Sequence, residues 1–336
     1  MIHGHGDDGH LFPHIRINFS SNVNPYGLNK GLQRHLNDCM DKLTTYPEPM
    51  AESLAETIET QKGLPAGSVL VTNGAVEAFY LLAALYQNKR SLIYTPSFSE
   101  YEDACRMYHH SLTFCPNTQF PEGKTSNYDT IWICNPNNPD GKLFSRQALK
   151  KMIETHPDTL FVVDEAYAEF SLSPITLENE APKRTNLVVI RSLTKRFSIP
   201  GLRLGYLTAT PGMINKLKAL LMPWRINTLA IEAGNYCFSN RFADNFCLSD
   251  LLKESQRLQS EINNLEGFSV TPSATSYFLA TAPTSASKLK RWLTENYNIL
   301  IRDASNFRGL SKNHFRLSTQ LPEKNDILIK ALHAWH

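Results

Sequence analysis

Short apolar runs closed by a polar or turn-forming residue recur through the first two thirds of the chain. They include Ser68-Val69-Leu70-Val71-Thr72, Ser91-Leu92-Ile93-Tyr94, Thr130 to Cys134, Leu160 to Val163, Asn186 to Ile190 and Leu202 to Ala209. Their length and β-branched content predict buried strands. Helical periods lie between several of them, among them Ala51 to Lys62, which Gly63 closes. Strands alternating with helices predict a mostly parallel mixed sheet covered on both faces, a three-layer α-β-α domain.

The flanks read differently. Ile15 to Gly27 alternates like a short strand and then turns at Asn24-Pro25 and Gly27, and an amphipathic helix follows from Lys30 to Lys42. From about Pro211 the period becomes helical, with one or two long helices over Ile226 to Leu265. Short strands at Phe268 to Val270, Ser276 to Ala280, Ile299 to Arg302 and His314 to Leu317 alternate with helices around Lys288 to Tyr297 and Asp326 to Trp335. This is the pattern of a small α+β domain. The expected division is residues 1–45 as an N-terminal arm and part of the small domain, 46–235 as the large domain and 236–336 as the rest of the small one.

Composition narrows the class of function. The 336 residues are 42% hydrophobic and 20% charged with a net charge of +2, an ordinary balance for a buried core. No run of lysine or arginine suggests a nucleic-acid or membrane surface. The N-terminus has no apolar signal core, which leads to an expected cytoplasmic location. The six cysteines are scattered without a C-x-x-C pair, so neither a disulfide framework nor a zinc site is expected. His3, His5, His10 and His14 lie among glycines and read better as a polar arm than as metal ligands. Gly4 to Gly9 matches G-x-G-x-x-G in form, but no strand precedes it.

Candidate chemistry gathers at the ends of three predicted strands. Ser192-Leu193-Thr194-Lys195 follows one of them and Arg203 stands eight residues further on; Asp164 ends the second; Asn135-Pro136-Asn137-Asn138-Pro139 ends the third. Polar groups at the carboxyl ends of such strands mark the crevice where open α/β sheets bind ligands. Gly74-Ala75-Val76, between a strand and a helix, offers first-turn N–H groups to a phosphate.

Together N-P-N-N-P, V-V-D-E-A-Y and S-L-T-K with Arg203 resemble the class I/II aminotransferase family, fold type I of the enzymes that use pyridoxal 5'-phosphate (PLP). The resemblance implies a catalytic set of Lys195, Asp164 and Tyr167. Lys195 would anchor the cofactor covalently and Asp164 would hold its ring nitrogen protonated. Gly74, Ala75, Val76, Ser192, Thr194 and Arg203 would hold its phosphate, Phe98 would stack on its ring, and Asn138 and Tyr167 would bond its 3'-oxygen. Tyr46 would reach the phosphate from a second copy, which implies a homodimer with shared sites. Arg316, Arg302, His5 and Asn24 would bind a small phosphorylated amino-acid substrate.

Within the family the chain resembles two groups that act on such substrates, the histidinol-phosphate aminotransferases and the phosphothreonine decarboxylases of cobalamin biosynthesis. Phe19 to Gly27, Arg191 to Lys195 continuing through Ile199 to Leu207, Met222-Pro223-Trp224 with Asn227, and His5-Gly6 lean toward the decarboxylases. Decarboxylation of L-threonine O-3-phosphate is therefore expected, with transamination as the alternative. Asp140 after N-N-P and Arg196-Phe197 after the lysine depart from the usual pattern and are expected to alter the loops near the cofactor.

Overall fold

The chain is described from a computed structural model covering residues 8–120, 127–239 and 241–335. In chain order the elements are β1 (Ile17–Asn18), α1 (Lys30–Asp38), α2 (Glu52–Lys62), β2 (Val69–Asn73), α3 (Gly74–Leu85), β3 (Arg90–Thr95), α4 (Glu100–Met107), β4 (Ser111–Pro116), β5 (Thr130–Cys134) and α5 (Arg146–Thr155). There follow β6 (Leu160–Asp164), β7 (Leu187–Ser192), α6 (Leu193–Arg196), β8 (Leu204–Thr208), α7 (Pro211–Lys218), α8 (Thr228–Cys237), α9 (Leu248–Asn263) and β9 (Ser269–Val270). The chain closes with β10 (Tyr277–Thr281), α10 (Ala286–Tyr297), β11 (Ile299–Leu300), β12 (Arg302–Asp303), β13 (His314–Ser318) and α11 (Pro322–His333).

The large sheet has the strand order β2-β8-β7-β6-β5-β3-β4. β8 runs antiparallel to both its neighbours and every other pairing is parallel. Successive residues of a strand face opposite sides, so an unbroken apolar run serves two cores at once. Leu70, Ile93, Trp132, Val162, Val188 and Leu207 pack with α3 on one side. Leu92, Ile131, Ile133, Phe161, Val163 and Val189 pack with Leu149, Met152 and Ile153 of α5 on the other. The expected three-layer α-β-α domain with a mostly parallel mixed sheet is thus the architecture observed.

A second, antiparallel sheet has the order β12-β13-β10-β9, with β1 and β11 paired beside it. Ile17 and Phe19 join its core with Phe278, Phe315, Leu289 and Leu328. The N-terminal segment is tied in by backbone bonds, Phe19 N donating to Leu300 O (2.8 Å) and Ser318 N to Phe19 O (2.9 Å).

Three boundaries differ from the sequence pattern, each for a local reason. Pairing at the N-terminus stops after Asn18, whose side-chain oxygen accepts from Ser20 N (2.8 Å) and Ser20 Oγ (2.7 Å) and turns the chain. α1 ends at Asp38 and continues as a 3-10 turn over Met40–Thr44, since Cys39 N shares its bond between His35 O and Leu36 O at 3.1 Å each. The strand before β13 is split, with β11 and β12 pairing in different sheets around Ile301. Among the described residues no helix is long and apolar enough to cross a membrane.

Candidate active site

A cavity of about 870 Å³ opens where β5, β6 and β7 end, at Cys134, Asp164 and Ser192, and the antiparallel sheet covers it with Arg302 and Arg316. Ser20 to Asn22 and the first turn of α3 complete the wall. The strand ends were legible in the sequence; the cover is supplied by the rest of the chain folding back.

Asp164 is 4% exposed at the floor of the cavity. Tyr101 donates its hydroxyl to Oδ2 at 2.5 Å and Ala166 N donates to Oδ1 at 2.9 Å. Burial pushes the carboxyl up to about 6; these two donors and the charges of Lys195 and Arg191 pull against that rise. A carboxyl so placed binds a pyridinium strongly, because the partner's charge removes the cost of burying the anion. Lys195 lines the same cavity from the turn that follows β7. Only the fold shows the Tyr101 hydroxyl on the carboxylate.

Another part of the cavity lining could hold a phosphate. α3 has no side-chain cap, and its Ala75 and Val76 line the cavity with Ser192, Thr194 and Arg203. Its first-turn N–H groups and positive dipole end therefore face an anion site. Ser192 Oγ and Thr194 Oγ1 lie 2.8 Å apart and orient one another. Gly74 holds φ at +71°, and a Cβ there would come within 2.5 Å of Arg203 Nη2. Gly74→Ala is expected to weaken PLP binding about tenfold or more, from the strain of about 1–2 kcal/mol at that φ and displacement of the guanidinium. Titration of the cofactor-free protein with PLP, followed by absorbance, checks this.

Toward the covering sheet, two buried guanidiniums dominate. Arg316 donates through Nη1 to Asn138 Oδ1 and through Nη2 to Ser20 O, both at 2.5 Å. That pair occupies the Asn138 oxygen, so its amide N–H groups are what it has to offer a cofactor oxygen. Arg302 bonds Asn306 Oδ1 (3.0 Å) and lies over the Phe307 ring. β12 and β13 set Arg302 directly opposite Arg316. Burial, and then the charge of Arg316, push Arg302 down to about 10. Like charges facing across a ladder destabilise unless anions neutralise them.

Phe98 and Tyr167 also line the cavity. Phe98 packs edge-on against Phe79 and Tyr101, and burial pushes the Tyr167 phenol up to about 12. Asn24 does not line it, contrary to expectation. Its Nδ2 donates to Arg196 O (3.0 Å) and its N to Lys195 O (2.9 Å), so its groups brace the lysine turn and are spent before any substrate arrives. Asn22, two residues earlier, lines the cavity instead. It lies beside Tyr167, yet neither of its buried amide atoms meets hydrogen-bond geometry.

Tyr46 is 84% exposed, tilted against Trp224, and takes no part in this chain's cavity. His5 lies outside the described residues. Asp140 ties its loop together, accepting from Asn117 Nδ2 (2.8 Å) and Asn137 Nδ2 (2.7 Å). Arg196 pairs with Asp244 and stacks on Phe246. At the mouth, Arg308 donates to Glu102 at 2.8 Å and 3.0 Å, a contact between the covering sheet's loop and α4 that nothing in the sequence suggested.

These residues fit PLP. The Asn22 amide, the helix end without a side-chain cap, and a buried carboxylate near a lysine supply complementary partners for a ring oxygen, a phosphate and a ring nitrogen. When bound, PLP draws off the electrons of the bond broken at a substrate's α-carbon.

Comparison with known proteins agrees with this geometry. The family model for aminotransferase class I and II matches residues 14–332. The chain is 28% identical to the threonine-phosphate decarboxylase of Salmonella typhimurium over 334 residues, 96% of this chain and 92% of that one. The solved L-threonine-O-3-phosphate decarboxylase from Porphyromonas gingivalis superposes with a TM-score of 0.91 at 39% identity, covering 95% and 99% of the two chains. The histidinol-phosphate aminotransferase from Clostridium acetobutylicum superposes at 0.86 with 28% identity, over 95% and 98%. The phosphate cradle, the carboxylate and the lysine thus sit in a fold already shared with both groups, and the chain belongs to the class I and II aminotransferases, PLP-dependent enzymes of fold type I.

Proposed function

We propose that this protein removes carbon dioxide from L-threonine O-3-phosphate, leaving (R)-1-aminopropan-2-yl phosphate, as a cytoplasmic step of cobalamin biosynthesis. The observation that carries the reading is the facing pair Arg302 and Arg316, both buried beside the Lys195 and Asp164 end of the cavity. A substrate with a carboxylate and a phosphate neutralises both guanidiniums at once, and Arg forks suit either anion. The likeness to decarboxylases at 28% and 39% identity supports the same substrate.

The residues divide the work as follows. Asp164 keeps the cofactor's ring nitrogen cationic, Asn138 and Tyr167 bond its oxygen, and Arg203 with the α3 amides holds its phosphate. Arg316 and Arg302 would fix the substrate's two anions and so select which bond at its α-carbon is broken. With the carboxylate released as carbon dioxide, the Lys195 ammonium would return a proton to that carbon. Closure by the antiparallel sheet keeps water from competing for the proton.

Tyr46, exposed beside Trp224, belongs in this reading at the interface with a second copy, where it reaches the neighbouring phosphate cradle. His5 is assigned to the substrate phosphate by the family resemblance alone.

Pure protein incubated with phosphothreonine is expected to release carbon dioxide stoichiometrically with amine. Arg302→Gln should raise KM about 100-fold with a smaller change in kcat, the loss of a charged, buried contact of about 2–3 kcal/mol. Glutamate formation from histidinol phosphate and 2-oxoglutarate, without carbon dioxide from phosphothreonine, would assign the chain to transamination instead.

A further inference from the structure

Away from the cavity, α1 and α8 bring together three side chains of a kind that bind metals. His35 and Cys39 are one turn apart on α1 and its end, and Glu232 faces them from α8, 193 residues further along from Cys39. The three atoms involved form a nearly equilateral triangle. Cys39 Sγ lies 3.7 Å from His35 Nε2 and 3.5 Å from Glu232 Oε2, and His35 Nε2 lies 3.4 Å from Glu232 Oε2.

The two cysteine edges are within reach of sulfur hydrogen bonds, but the His35–Glu232 edge is long for direct bonding. A histidine and carboxylate in a charge-assisted hydrogen bond approach to about 2.7–2.9 Å, well inside the separation seen here. The edges do match the face of a tetrahedron around a common ion. With a thiolate at about 2.3 Å and a nitrogen and an oxygen at about 2.0–2.2 Å, tetrahedral angles separate the ligands by about 3.3–3.6 Å.

The surroundings favour a fixed arrangement. The His35 ring is stacked on Tyr236, one turn beyond Glu232 on α8, with centroids 4.7 Å apart and planes 19° apart. Cys39 is 4% exposed, and the other two side chains are half-buried. Lys42 Nζ takes the other carboxylate oxygen, Oε1, at 2.6 Å, leaving Oε2 turned toward the cysteine and histidine. One thiolate, one imidazole and one carboxylate are the mixture that borderline-soft Zn²⁺ selects, whereas Mg²⁺ and Ca²⁺ take oxygen ligands.

We propose that His35, Cys39 and Glu232 bind one Zn²⁺ per chain, with a water in the fourth position. On binding, the Cys39 thiol releases its proton to solvent, and the ion's two charges are matched by thiolate and carboxylate. The ion staples α1, which leads into the segment carrying Tyr46, to α8. The expectation of no metal rested on the absence of paired cysteines, and a site drawing one cysteine from each of no pair escapes that search.

The test titrates chelator-treated, PLP-loaded protein with Zn²⁺ against a chromophoric competitor and repeats it for Cys39→Ser and Glu232→Gln, with cofactor absorbance confirming that each variant is folded. One equivalent for the unaltered chain, weakened at least about 100-fold in both variants, is the expected result. Substituting Co²⁺ should give a thiolate charge-transfer absorption that Cys39→Ser lacks. Absence of binding, binding unchanged in either variant, or an equivalent lost only when His3 and His5 are replaced by alanine would overturn the proposal.

Discussion

Replacing Lys195 by alanine is expected to lower turnover of phosphothreonine by about 10,000-fold or more and, separately, to make the cofactor dialysable. The lysine has two duties. In the proposed reaction it would anchor the cofactor covalently between turnovers, and it would carry the proton that ends on the substrate's α-carbon. Its turn is held by Asn24 N at Lys195 O (2.9 Å) and by Asn24 Nδ2 at Arg196 O (3.0 Å), so the side chain can be removed without collapsing the loop. Equilibrium dialysis followed by absorbance measures retention, and carbon dioxide release measures turnover. A variant that keeps its cofactor through dialysis and retains more than a few per cent of activity would refute the assignment. Partial rescue by added methylamine would identify proton carriage as the lost duty.

Asp164→Asn is expected to lower kcat on the order of 1000-fold while stabilising the cofactor-free protein at neutral pH. The two effects have one cause. The carboxyl is raised from 3.8 to about 6, mainly by burial. The native cofactor-free state thus binds a proton more tightly than the unfolded chain does. Its contribution to stability is present in full below about pH 4 and is lost as pH rises through 6, about 3 kcal/mol in all. An amide has no such charge to bury. The cofactor-free variant should therefore melt above the cofactor-free parent at pH 7.5, with the gap closing toward pH 4. With PLP bound the order should reverse, since the parent's carboxylate then has a cation to pair with. Thermal melts at both pH values, with and without cofactor, check each sign.

The large sheet was legible because its strands are unbroken apolar runs, and a run buried on both faces has no polar alternation to confuse it. The cavity floor was legible for the same reason: Asp164 is the first polar residue after such a run, and Ser192 and Asn138 follow two others within a few positions. Other features were hidden by geometry. Asn22 and Asn24 are alike in the sequence, and only the turn set by Asn18 decides which faces the cavity and which braces the lysine. The opposition of Arg302 and Arg316 depends on strand register, which the split at Ile301 made unreadable. The partnership of Tyr101 with Asp164 spans 63 residues, and that of Cys39 with Glu232 spans 193. Local pattern carries no information about either.

Facing partners on two paired strands keep a fixed backbone spacing, and Arg302 and Arg316 are such partners. On the proposed reaction the pair would gauge a substrate by the reach between its two negative ends. A shorter dianion would leave one guanidinium without its substrate anion, and a longer one would lift its reacting carbon away from Lys195. Discrimination would then act by rejection of the misfit as well as by reward of the match.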